Sequence, residues 1–284
     1  MQNHLILRFV SLSSALVFMA RAIQMFVADS PYRILLWDED LMKPLLENYF
    51  SLSWESWTGN VENEQIVRGI AVFSGLVFTA AALGCFFLVG KNAFSKNIRF
   101  CANLVVSFGL ILLLVNYSLY ARDKSNHTTE FLEYALQWGS PLLLISSKHI
   151  SETQLIRGAK ILTGIVFFSH GLYATGFLYT PANYVSYVMG TFPVTETEAK
   201  FFLEIVGIAD MVLALLILSE SILKYSIYYF IVWGFLTTLA RMYCNWHWDL
   251  WMISVQQYFH EMLVRFPHFL MPFAIWQSMK KARQ

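Results

Sequence analysis

Seven ionisable side chains interrupt otherwise apolar stretches of the chain. They are Arg21 in LVFMARAIQMF, His170 in VFFSHGLYATGF, Glu204 and Asp210 in FFLEIVGIADMVL, Arg241 in LTTLARMY, and His260 and Glu261 in QQYFHEML. These residue types offer three kinds of chemistry. A histidine with an ordinary pKa near 6.5 passes a proton or donates to a carbonyl. Opposite charges at one depth, Arg21 and Arg241 against Asp210, Glu204 or Glu261, fix helix register or hold a polar ligand. His170 with His260 also matches a pair of axial haem ligands, a weaker reading because two histidines on apolar helices arise often by chance. Three cysteines without a C-x-x-C pair give neither a disulfide framework nor a zinc site, and no metal site is expected.

The stretches around these residues are built for a bilayer. Hydrophobic residues make up 57% of the 284 and charged residues 14%, where soluble domains carry about a quarter charged. A net charge of +1 gives no electrostatic basis for binding nucleic acid. A hydrocarbon core of about 30 Å takes roughly 20 apolar residues per helix. Residues 5–28, 66–89, 98–120, 155–179, 200–222 and 225–245 qualify clearly. Residues 130–147 and 252–277 are weaker, carrying Glu130, Glu133 and Gln137, and His260, Glu261, Arg265 and His268. They are counted as spans because charge is tolerated where it faces protein or water. The expectation is an all-α polytopic membrane protein with eight transmembrane helices.

The basic residues orient it. Lys91, Lys96, Arg99, Lys148, Lys280, Lys281 and Arg283 fall on one side of an eight-span count, which places both termini in the cytoplasm. The first outer loop, residues 29–64, instead collects Asp29, Asp38, Glu39, Asp40, Glu47, Glu55, Glu62 and Glu64. Its alternating apolar and acidic positions predict short amphipathic helices lying over the bundle. Rise per residue then sets depth: His170 stands roughly 20 Å up from the inner end of its span, and Asp210 near mid-membrane. The seven polar residues share the outer half, with His268 deeper, where Pro267 and Pro272 are expected to kink the last span.

The spans also repeat. LRFVSLSSALVFMAR (7–21) lies on IRGAKILTGIVFFSH (156–170), GIAV (69–72) on GIAD (207–210), Phe108-Gly109 on Trp233-Gly234 with Asn116 on Arg241, and FLEYALQW (131–138) on FHEMLVRF (259–266). Four matches in one order predict two parallel four-helix repeats, 1–150 and 151–284, related by an axis along the membrane normal.

In the second half, Arg157, Gly164, His170-Gly171, Pro181, Phe192-Pro193 and LEIVGIADMVLALLIL resemble the DoxX-like family of four-helix membrane proteins, over about residues 153–245. YRILLWDEDL in the first half is distantly similar to the HTTM membrane family. The resemblance implies a four-helix bundle and association with quinone-linked or thiol-linked redox systems. Two departures count against redox chemistry: Ala174 stands where a lysine often follows the H-G pair, and the cysteine pair of thiol chemistry is missing. Two functions are therefore expected as alternatives. One is a quinone-linked or other redox-associated component with a polar pocket in the outer half, with His170, Asp210, Arg241, His260, Glu261, Glu204 and Arg21 as ligand or proton-relay residues and quinone as the favoured cofactor. The other is a non-enzymatic binding or assembly subunit in a bacterial-type inner membrane, docking a periplasmic partner through the acidic loop. NWHWDLW (245–251) is read as an interfacial aromatic belt rather than a metal site, and Asn126-His127-Thr128 as an outward glycosylation acceptor if the source is eukaryotic. No nucleotide-binding or hydrolase motif occurs, and neither reading decides whether the chain is an enzyme.

Overall fold

The computed structural model describes residues 4–28, 30–89, 94–124, 128–219 and 222–282. Asp29, Lys91, Asn126, His127 and Arg283 lie outside them. Every regular element among the described residues is helical. In chain order they are α1 (His4–Val27), α2 (Tyr32–Leu36), α3 (Glu39–Leu45), α4 (Trp54–Gly59), α5 (Glu62–Val89), α6 (Lys96–Asp123), α7 (Thr128–Glu133), α8 (Ala135–Ser146), α9 (Glu152–Ala174), α10 (Ala182–Thr191), α11 (Glu196–Leu216), α12 (Leu223–Tyr243), α13 (Trp251–Leu263) and α14 (Pro267–Ala282), with a π-helical turn at Leu46–Phe50 and a 3₁₀ turn at Trp248–Leu250. Four of them are long and apolar enough to cross a membrane: α1 over Leu5–Val27, α5, α6 and α9.

The starts of the long helices follow from local sequence. Ser95 accepts from the Ile98 amide at the head of α6, and Ser151 with Gln154 and Thr195 with Glu198 form capping boxes on α9 and α11, each satisfying amide groups that a helix start leaves unpaired. Small residues then let helices close on one another. Gly109 on α6 lies against Ala81 and Phe18, and Gly84 on α5 against Ala102 and Val106. Gly171 on α9 sits so close to Met211 and the Gly207 carbonyl that any Cβ there would collide with α11, and Gly234 on α12 meets the backbone at His268 in the same way.

The two segments expected to be weaker spans are each broken into two shorter helices. Tyr134 separates α7 from α8, and Val264–Phe266 separate α13 from α14. The second break comes immediately before Pro267, which supplies no amide and crowds the preceding turn. Pro272 is accommodated within α14. The carbonyl freed at Arg265 is taken up by the His268 amide at 2.9 Å, His268 Nδ1 at 3.0 Å and the Thr238 hydroxyl at 3.3 Å. Both breaks deliver a charged residue to the interior: Glu133 ends α7, and Arg265 lies in the gap before α14.

Helix α1 packs against α5, α8, α13 and α14, while α9 packs against α11, α8 and α14. The short helices α2–α4 and α10 cover one end, here the capped end, where the last turns of α1, α6, α9 and α12 meet them. The loop residue Asp38 receives Arg122 from the end of α6 at 2.6 Å, and that guanidinium holds the Asp38 carboxyl below its usual range. Trp57 of α4 donates to the Leu36 carbonyl at 2.9 Å. The amphipathic helices expected in the first loop are present as α2–α4.

Candidate functional site

A buried cluster lies just beneath the capped end, assembled from five segments. Glu133 comes from the end of α7, His170 from the last turn of α9, Tyr184 from α10, Arg265 from the α13–α14 break, and His268 from the first turn of α14. All but Tyr184 are buried. One carboxylate oxygen of Glu133 organises the group. Arg265 Nη2 donates to it at 3.2 Å, the Tyr184 hydroxyl donates to it, and His170 Nδ1 lies 2.9 Å away. His170 Nδ1 is also 2.7 Å from the Tyr184 oxygen, and its Nε2 is 3.1 Å from Arg265 Nη1.

The tautomer follows from these contacts. A guanidinium only donates, so His170 Nε2 must accept, and the proton sits on Nδ1, facing Glu133 and Tyr184. His170 is thus a neutral imidazole held between a carboxylate and an arginine. His268 is fixed by the same logic. Its Nδ1 faces the Arg265 carbonyl and donates, leaving a buried Nε2 without a partner among the described residues. The two imidazole rings are 5.5 Å apart.

Beside this cluster the helices part. A cavity of about 360 Å³ opens among α9, α10, α11 and α12. Most of its lining is apolar, including Phe167, Phe202, Val206, Trp233 and Leu236, while His170, Tyr184, Tyr187, Arg241, Arg265 and Asp210 bring polar atoms to it. Arg241 Nη1 donates to the Tyr187 hydroxyl at 3.0 Å and lies 3.7 Å from Glu261, with its Nε unpartnered among the described residues. Asp210 accepts from the Tyr229 hydroxyl at 2.8 Å.

A second polar network occupies the N-terminal half. Arg21 donates to the Tyr117 hydroxyl at 3.3 Å, Gln24 Oε1 at 2.5 Å, the Tyr120 hydroxyl at 3.4 Å and Gln137 Oε1 at 3.2 Å. Tyr117 passes its own proton to Gln137 at 2.7 Å. Gln137 lies one helical turn beyond Glu133, so the α7–α8 segment feeds both networks.

The chain matches no family model, no characterised protein and no solved structure.

Of the seven residues singled out from sequence, His170, Asp210 and Arg241 line the cavity. Glu261 pairs with Arg241 at long range. Arg21 lies in the other network with neutral partners, Glu204 is exposed on α11, and His260 is buried on α13 away from the cavity lining. The expected pairing of Arg21 with a carboxylate is absent among the described residues, and Asp210 pairs with a tyrosine. His170 does face the interior beside a cavity, but its direct partners are Glu133, Tyr184 and Arg265. Glu133 and Arg265 stood in the repeated FLEYALQW and FHEMLVRF segments, and charges retained in otherwise apolar spans were the available signal. Tyr184 had none, because the chain has 14 tyrosines and only the turn from α9 into α10 selects this one.

Proposed function

We propose that the chain is an eight-span membrane protein of two parallel four-helix repeats whose C-terminal half binds an amphiphilic bilayer molecule of the quinone class as part of a redox-associated system. The observation that carries this reading is the cavity: apolar between α11 and α12, and polar at its inner wall, where His170, Tyr184, Arg241 and Arg265 gather. Such a shape receives an apolar tail from the side and a head that accepts hydrogen bonds at the end. Arg241 Nε, which has no acceptor, is a ready donor for a quinone carbonyl, and the Glu133–His170–Tyr184 chain is a route for the proton that a reduced head would take up or release.

The repeat finds support in contacts at matching positions. Laying 7–21 on 156–170 sets Arg21 on His170, and laying 131–138 on 259–266 sets Gln137 on Arg265. Arg21 is hydrogen-bonded to Gln137 at 3.2 Å, and His170 to Arg265 at 3.1 Å. The resemblance to DoxX-like proteins and the cytoplasmic placement of both termini belong to the same proposal, with the capped end outside.

Purification in mild detergent followed by organic extraction tests the binding. Wild-type protein should retain a quinone, or take up added ubiquinone or menaquinone with quenching of tryptophan fluorescence. Arg241→Gln should lower the affinity at least tenfold while the protein still folds. If neither quinone is retained or bound by well-folded wild-type protein, the reading fails.

A further inference from the structure

Arg21 is a buried cation whose partners among the described residues are all neutral. It is 6% exposed, and its four hydrogen bonds end on two amide oxygens and two phenol oxygens. The other buried arginines differ: Arg265 holds Glu133 at 3.2 Å and Arg241 faces Glu261 at 3.7 Å. The rings of Tyr117 and Tyr120 lie 4.9 Å and 5.3 Å from the Arg21 guanidinium carbon. Such contacts offset only part of the cost of burying an unpaired ion. A guanidinium cannot escape this by losing its proton.

Two of the four partners are also walls of a second cavity. Gln24 and Tyr120, hydrogen-bonded to each other at 2.7 Å, line a space of about 650 Å³ at the capped end, together with Arg33, Ile34, Trp37, Asp38, Arg122 and Asp123 among others. The arginines at its rim are each matched, Arg33 by Glu64 at 2.6 Å and Arg122 by Asp38 at 2.6 Å, and Asp123 adds an exposed carboxylate. Among the described residues, Arg21, behind the Gln24–Tyr120 pair, is the buried arginine without a carboxylate partner. This space is separate from the apolar cavity between α11 and α12 and shares no lining residue with it.

We propose that this cavity is a second binding site, for a water-soluble oxyanion such as a carboxylate or phosphate, whose charge is neutralised by Arg21. Gln24 and Tyr120 are the gate. Rotation of the Gln24 amide breaks its 2.5 Å bond to Arg21 and exposes the guanidinium fork, which matches an oxyanion in two-point geometry. The charged rim and the lack of a long apolar wall favour a solute arriving from water over a lipid headgroup.

The test titrates the detergent-solubilised full-length protein with inorganic phosphate and, separately, acetate at constant ionic strength, following the melting temperature. Wild type should show a saturable rise with at least one of them, as binding to the folded state requires. Arg21→Gln should remove it, and Arg157→Gln, an exposed arginine of α9, should keep it. Gln24→Ala, which leaves the cation in place and opens the gate, should bind the same anion several-fold more tightly and serves if Arg21→Gln does not fold. No saturable rise in wild type, or an undiminished one in Arg21→Gln, overturns the proposal. So does a response to phosphatidylglycerol in phosphatidylcholine nanodiscs with none to the soluble anions.

Discussion

In the N-terminal half, α5 and α6 lie flush against each other; in the C-terminal half, α11 and α12 are held apart. The residues at each contact account for the difference. Along α5 and α6, Ala81, Gly84, Ala102 and Gly109 bring the backbones together. Along α11 and α12, the facing positions include Phe202, Val206, Trp233 and Leu236, and α10 packs against both helices at the capped end. Large side chains on both sides of a helix pair, with a third helix between their ends, leave room that small residues remove. The helix pair is therefore a packed wall in the N-terminal half and the border of a cavity in the C-terminal half.

The polar residues divide in the same way. The C-terminal network pairs its arginines with carboxylates, whereas the N-terminal network surrounds its arginine with neutral oxygens. One network is electrically closed and the other open. Both hang on α7–α8, which sends Glu133 to one and Gln137 to the other.

The largest effect should come from opening the closed network. Glu133→Ala strips the carboxylate from Arg265 and His170 together, and removal of one partner of a buried pair costs about 3–5 kcal/mol. Thermal unfolding in mild detergent should register a fall of many degrees, and an unchanged melting point would mean the C-terminal cluster is not held by its charge pairing. Next is overpacking of the tight wall. Gly109→Leu, placed against Ala81 and Phe18, should cost roughly 3 kcal/mol. Val206→Trp, directed at the cavity lining, should cost less than 1 kcal/mol because the space exists, yet abolish quinone binding. Equal costs at the two positions would erase the distinction between the halves.

A smaller effect is expected at Asp210. Tyr229→Phe removes its hydroxyl partner while Trp233 still donates to Asp210, and should cost about 1 kcal/mol for the lost hydrogen bond, measured by the same melting curves. A loss as large as that in Glu133→Ala would place Asp210 within the charge network. Smallest is the Asp38–Arg122 bridge at the capped end. The hydrogen bond from Arg122 depresses the Asp38 pKa, so its contribution is complete above the unfolded carboxyl value of about 3.9. It is lost as pH falls through the lower folded value. Protease sensitivity of the α2–α4 segment should therefore increase only below about pH 4, more weakly in high salt, and Asp38→Asn should show the increased sensitivity at neutral pH. A transition centred near pH 6 would assign the dependence to another group.

The helical class and its membrane character were legible in the sequence, because a bilayer tolerates only backbone that satisfies its own hydrogen bonds, and apolar runs of helical length advertise that directly. The short helices over the first loop were legible too, from the alternation of apolar and acidic positions. His170, Asp210 and Arg241 could be singled out as cavity residues because charge inside an apolar run is costly enough to draw notice wherever it falls. Partners were another matter. Depth along a helix says nothing about rotation around it, so Arg21 and Asp210 were matched by sign and height when their side chains reach tyrosines and glutamines instead. The breaks at Tyr134 and Val264–Phe266 decide which way Glu133 and Arg265 enter the interior, and a break's direction depends on what the two helix segments pack against. Tyr184 reaches His170 only because the chain turns back through α10. The sequence by itself marked the ionisable groups set within apolar runs, most but not all of which are buried, Glu204 being exposed. Tertiary structure alone decided which of them touch, since contact depends on helix rotation and separation, quantities that arise only when all the helices pack together.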